Sequence, residues 1–317
     1  MAVNSSQYFL VIETEATDIG QLLDADLTGY NTYRIYVHTA TATDQVSAIY
    51  GNIDEPSQLF CSGDIFQSSP LGGVTPEGIT PDVWGAFPSN QYDSFVTIGI
   101  DEPALNDAGE GDINIIESTI TPWTELFEPE GGDSGSGIML TDITGGSWFA
   151  LPNFSNGIAG EDQQVLIAQI TTNGTLTGNL NAQIFIDGDN INGTVYLDLP
   201  LPILGCTDES AANFNADADQ DDGSCTSSGC LDPNAANFNA NATTDDGSCQ
   251  HLCIGLAGCT YPDAENYNPA ANCENGTCTY DLTDTAGNCA FDHDDNGSIG
   301  SSDLIYFLSI FGSTCSE

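Results

Sequence analysis

The sequence predicts a mainly β protein. An N-terminal β-sandwich, jelly-roll-like, is expected over residues 1–203, followed by small disulfide-stapled repeats and a C-terminal loop and helix. Three observations predict it. Residues 6–201 read as short β-branched and aromatic runs divided by Gly, Pro and Asn turns, with no long stretch of helical period. Ten of the 11 cysteines lie beyond position 205. Between Gly205 and Tyr280 one short pattern is written three times.

Taking the chain in order, strands are expected at Tyr8–Thr14, Thr32–His38, Val46–Tyr50, Ser94–Ile100, Asn114–Glu117, Gly137–Leu140, Ser147–Leu151, Gln164–Thr171, Thr175–Ile186 and Thr194–Leu199. In Thr32–His38 the alternation sets Tyr33, Ile35 and Val37 on one face and Arg34, Tyr36 and His38 on the other. Asn173-Gly174 has the composition of a two-residue hairpin turn, and Asn192-Gly193 repeats it for the next pair. Asp187-Gly-Asp189-Asn190-Ile-Asn192-Gly193 suits a calcium loop and a plain hairpin turn alike. Many short strands with such turns give a sandwich. Cys61, far from the other cysteines, is expected as a buried free thiol, the alternative being a bridge to another subunit.

In the repeated stretch, Gly205-Cys206 to Cys225, Gly229-Cys230 to Cys249 and Gly258-Cys259 to Cys278 share their cysteine spacing, an Asn-aromatic-Asn triplet and a closing Gly-Ser-Cys or Gly-Thr-Cys. Each unit (204–227, 228–251 and 252–281) is too small for a core of its own, so a disulfide is expected across each: Cys206–Cys225, Cys230–Cys249 and Cys259–Cys278. Cys253 and Cys273, left over around the third unit, are expected to pair by elimination. Oxygen-bearing residues, most of them two apart, mark the first two units: Asp217, Asp219, Asp221 and Asp222, then Asn239, Asn241, Asp245 and Asp246. Hard cations take several oxygens from flexible loops, so these residues are candidate calcium ligands.

The repeat resembles a unit of large secreted and surface proteins of marine Bacteroidetes, also present in proteins of aquatic algae and their large viruses. That resemblance covers about a quarter of the chain. It implies an extracellular structural or adhesive role and carries no chemistry.

Residues 282–317 hold one further pattern. Asp292, Asp294, Asn296, Ser298 (through its carbonyl) and Asp303 stand at the first, third, fifth, seventh and twelfth places of an EF-hand-type loop, with Gly297 at the turn. Leu304, Phe307, Leu308 and Phe311 then recur at helical spacing. The segment resembles a dockerin calcium loop and helix, although a dockerin has two such loops and this segment one. Cys289 and Cys315 flank it and are expected to close it.

The charge bounds the partners. With 47 Asp and Glu against a single basic residue, Arg34, the formal net charge is −46. Nucleic acid and anionic membrane surfaces are thereby excluded as partners, since both are bound through Lys and Arg. No apolar run is long enough to span a membrane. Met1–Ser6 has neither a basic start nor an apolar segment, so export as a mature form or by another route is expected. The nucleophile-elbow, phosphate-loop and histidine-pair motifs are missing, and an enzyme is not expected. These features together give an extracellular or surface-exposed structural protein (on a cell or a virion exterior), calcium- and disulfide-stabilised. It would self-assemble into a filament, appendage or fibre. The alternative is a glycan-binding adhesion module, with exposed Trp84, Trp123 or Trp148 stacking on sugar.

Overall fold

A computed structural model of the chain describes residues 5–129, 134–233, 235–250, 255–262, 264–274 and 276–279. The fold is mainly β, and its large sheet is antiparallel throughout. The chain divides into two compact units, Met1–Thr226 and Ser227–Glu317.

The first unit begins with β1 (Phe9–Ala16), a small hairpin of β2 (Gly20–Gln21) and β3 (Asp26–Leu27), and β4 (Asn31–His38). Then come β5 (Gln45–Gly51), β6 (Ser57–Ile65), β7 (Phe95–Val96) and β8 (Asn114–Ile116). A single helical turn, α1 (Thr124–Phe127), precedes β9 (Gly135–Leu140), β10 (Gly146–Phe149), β11 (Gln164–Thr172), β12 (Leu176–Phe185) and β13 (Thr194–Pro200). The expected alternation in β4 is present: Ile35 and Val37 are fully buried, and Arg34, Tyr36 and His38 are only partly so. Strand Ser94–Ile100 shortens to β7, but the line continues as single bonds from Thr97 N–H to Ile167 O and from Gly99 N–H to Leu166 O.

Register resolves two layers. One is β1–β4–β11–β7; the other is β13–β12–β5/β6–β9/β10–β8. β12 runs antiparallel to β6 over Leu176–Asn179 and to β5 over Asn181–Phe185, so β5 and β6 are halves of one long strand interrupted at 52–56. β9 and β10 follow the same path on the other side, interrupted at 141–145 (Ser57↔Leu140, Gly51↔Gly146). The two interruptions therefore face each other across the ladder, and Gly51 lets the chains close there: a Cβ at Gly51 would lie 2.6 Å from Leu140 O.

Asn173-Gly174 is not a hairpin turn. β11 and β12 lie in different layers and both pair with β6, through Thr172↔Ile65 and Leu176↔Cys61, so the chain passes straight through this corner. Asn173 Oδ1 accepts Asp64 N–H at 2.8 Å. Gly174 is needed for close approach, since a Cβ there would stand 2.2 Å from Gly63 N. The Asn-Gly signal belongs here to two crossing backbones. Asn192-Gly193 does end a hairpin connection, but one spanning 186–193 rather than two residues.

Between the layers lies one apolar core containing Ile35, Ile49, Leu59, Ile138, Ile170 and Ile184, all fully buried. Trp148, also fully buried, crosses the gap and donates its Nε1–H to Ile167 O of β11 at 3.1 Å. Each such side chain contributes on the order of 2 kcal/mol of transfer free energy. No helix among the described residues is long and apolar enough to cross a membrane.

Candidate functional site

The cysteine repeats are the most regular chemistry in the molecule. Each opens on a two-residue parallel ladder: β14 (Leu204–Gly205) with β15 (Gln220–Asp221), β16 (Ser228–Gly229) with β17 (Thr244–Asp245), and β18 (Ala257–Gly258) with β19 (Cys273–Glu274). Disulfides close all three as expected: Cys206–Cys225, Cys230–Cys249 and Cys259–Cys278, each at a separation of 19. Cys273 is disulfide-bonded too; its expected partner Cys253 lies outside the described residues.

The paired asparagines explain themselves. The first of each triplet spans the unit with both ends of its amide: Asn237 Nδ2 donates to Ser248 O at 2.8 Å while Oδ1 accepts Gln250 N–H at 2.6 Å. Asn213 does the same with Ser224 O and Thr226 N–H, and Asn266 with Thr277 O and Thr279 N–H. The second asparagine accepts a backbone N–H two residues on, from Asp217, Asn241 or Ala270. Its own N–H meets the carbonyl of the first cysteine at 2.9 Å in all three units. A backbone too short for a core is thus held by one sulfur bridge and a set of amide pins.

Most of the candidate calcium ligands sit within this scheme as separate acceptors of backbone N–H groups. Asp219 Oδ2 accepts Ile203 N–H at 3.2 Å. Asp221 and Asp245 accept the N–H of Gly223 and Gly247, and Asp222 and Asp246 those of Ser224 and Ser248. The hydroxyl and N–H of Ser248 hold the Asp246 carboxyl below its ordinary range. Asp217 is exposed; Asn239 Oδ1 takes the Asn241 N–H. Among the described residues no three His, Cys, Asp or Glu side chains come together as a metal cluster. The repeat carboxylates are spaced like ligands but do not converge. Asp292, Asp294, Asn296, Ser298, Asp303, Cys289 and Cys315 lie outside the described residues.

Within the sandwich, Asp187–Gly193 is a hairpin connection: Asp189 Oδ1 accepts the N–H of Ile191 and Asn192. Arg34, the lone cation, ties β4 to Asp101 at 3.1 Å and to Gln169 Oε1 at 3.0 Å. Cys61 is a half-buried free thiol, its sulfur 2.6 Å from Thr172 Oγ1. Trp123 and Trp148 belong to the core, which takes both out of reach of a sugar, and half-buried Trp84 donates to Asn90 Oδ1 and packs against the cluster of Ile79, Phe95 and Leu166.

Two features escape sequence reading. Asp93 is fully buried, and burial pushes its carboxyl up to about 7, against N–H bonds from Ser68 and Gly73 and with the nearby Glu128 adding to the rise. The other is an aromatic patch on the outer face of the second layer. Tyr50 and Tyr196 meet edge to face at 5.6 Å, with Phe149 and Ile116 beside them. Gln183 holds the patch in place, donating to Tyr196 Oη at 3.0 Å and accepting from Ser47 Oγ at 2.9 Å. The result is a shallow groove of about 290 Å³ with a preset ring, Tyr196, 60 % exposed.

No protein-family model matches the chain, and no curated protein matches it either.

Proposed function

We propose that the protein is an extracellular structural subunit of a surface filament, appendage or fibre, built from a β-sandwich and a disulfide-hardened tail. The observation that carries this reading is the three-fold recurrence of one covalently closed, amide-pinned unit. Such units supply rugged length rather than reactive groups. Three disulfides suit an oxidising environment, which supports a place outside the cytosol. Calcium enters at the loop 292–303, whose Asp292, Asp294, Asn296, Ser298 and Asp303 have the full ligand spacing; the repeat carboxylates add diffuse counterion binding. Negative-stain microscopy and sedimentation of the full chain in calcium and in EGTA test this. Ordered polymers in calcium are expected, and monomers under both conditions would remove the assembly.

A second reading, a glycan-binding module, is favoured by the outer aromatic face. The exposed Tyr196 ring offers an apolar plane to a pyranose, and Ser147, Asn114 and Asp198 lie on the same strands as hydrogen-bonding neighbours. With one Arg in the chain, the sugar would be uncharged. A neutral-glycan array that loses its signal on Tyr196→Ala supports this second reading; a blank array for the native chain ends it.

A further inference from the structure

β1 is an edge strand, hydrogen-bonded to β4 on its inner side. The first half of this edge, Phe9–Ile12, is wholly apolar and invites another strand to pair with it, while Glu13 and Glu15 put charge on the second half. In an antiparallel pair, alternate residues turn their N–H and C=O outward, and in β1 these are Leu10, Ile12 and Thr14. At Ile12, the middle one, both outward groups are taken. Ile12 N–H donates to Gln220 Oε1 at 3.1 Å, and Gln220 Nε2 donates back to Ile12 O. The carboxamide of one side chain thereby makes the two-way bond that a residue of a neighbouring strand would make.

Gln220 belongs to β15 of the first cysteine repeat, held by the ladder to Leu204 and the Cys206–Cys225 bridge. The same ladder position is Thr244 in the second repeat and Cys273 in the third. Only the repeat that follows the sandwich directly carries a residue long enough, with one donor and one acceptor, to imitate a peptide group. Beside it runs a groove of about 470 Å³ between Phe9, Leu10 and Val11 on one side and Pro200, Leu201 and Pro202 on the other. An added strand would lie in that groove, and Gln220 stands across it.

We infer that the first cysteine repeat is an edge guard: Gln220 occupies the pairing position at Ile12 and denies the outer edge of β1 to extended segments, including a second copy of this chain. Any assembly of copies then runs through other surfaces. The inference does not depend on the filament reading.

The test uses the full-length chain with Gln220→Ala and Gln220→Asn, the latter one methylene too short to reach, and Thr244→Ala as the matched change in the second repeat. In the native chain and in Thr244→Ala, the Ile12 amide should be protected from hydrogen exchange. In both Gln220 variants it should exchange roughly tenfold faster, with Val11 and Glu13 unchanged. A fluorescent peptide of the sequence Asn31–His38, the natural partner of β1, should bind the Gln220 variants at least about tenfold more tightly than the native chain. Two results overturn the guard: an Ile12 amide as protected in both Gln220 variants as in the native chain, or equal peptide binding by native and variant chains. Two variants of different size keep the answer available if one of them fails to fold.

Discussion

The sandwich and the repeats hold their shapes by opposite means. In the sandwich, residues far apart in sequence meet in one apolar core, and Trp148 of β10 bonds Ile167 of β11 across it. In the second repeat nearly everything is local: one disulfide, the Asn237 amide and two aspartate caps act within a span of 19 residues. The comparison shows that an acid-rich chain can fold either by hiding apolar area or, where that area is lacking, by lowering the entropy of its unfolded state. The two regions should therefore fail under different insults.

The largest expected effect is in the sandwich. Trp148→Ala removes the side chain that bridges the layers and leaves Ile167 O without its partner. It should cost about 3–5 kcal/mol in denaturant melts, while the Cys230–Cys249 bridge still forms by peptide mapping. A loss below about 1 kcal/mol would mean the layers are not held by this core.

Next comes a pH effect, again confined to the sandwich. Burial raises Asp93 from 3.8 to about 7 in the fold. Between those values the folded chain keeps a proton that the unfolded chain has released, so stability is full below about pH 4 and is lost as pH rises towards 7. The span is at most about 4 kcal/mol. Asp93→Asn should flatten that slope, read as the sandwich melting temperature at pH 4, 5.5 and 7, whatever it does to the absolute value. Parallel slopes for the two chains would assign the pH dependence to other carboxyls.

The repeats answer to reductant instead. Replacing Cys230 and Cys249 by serine should cost the second repeat about 3 kcal/mol on the chain-entropy account. Exchange of its backbone amides by mass spectrometry reads this directly, and the tryptophan-monitored melt of the sandwich should not move. A shift in both would show that the local account of the repeat is wrong.

The same contrast decides what was legible in the chain. Spacing is a local property, so the Cys206, Cys230 and Cys259 bridges and the alternation of β4 were readable. β6 was not: Cys61-Ser62-Gly63-Asp64 breaks the pattern of a half-buried strand, and its place is set by partners far off in sequence, β9 on one side and β12 on the other. Asn173-Gly174 misled for a related reason, since glycine serves both a turn and a close approach, and only the tertiary register separates them. Asp221, Asp222, Asp245 and Asp246 stand in a ligand-like run, yet each of these four caps a turn amide. Spacing of two suits an Asx turn as well as a cation loop. Asp93 gives no signal at all, because burial of one carboxylate among 47 acids is a property of the finished core.

The smallest effect sharpens the contrast most. Gly247 sits at φ +69 with nothing within 4 Å of a Cβ built on it, so alanine there meets only the backbone cost of a left-handed conformation, about 1 kcal/mol. Gly174 is not in that region, but its Cβ would stand 2.2 Å from Gly63 N, where β6 and the β11–β12 connection cross. Gly174→Ala should therefore cost more than Gly247→Ala, and differently: the first forces two strands apart and lowers the sandwich melt, the second loosens only its own turn. Hydrogen exchange at Ser248, whose N–H bonds Asp246 beside that turn, reads the smaller change. If Gly247→Ala instead disturbed the whole second repeat as much as loss of its disulfide, the Asp-Asp-Gly-Ser turn would be a joint on which the unit's order depends rather than a cap upon it.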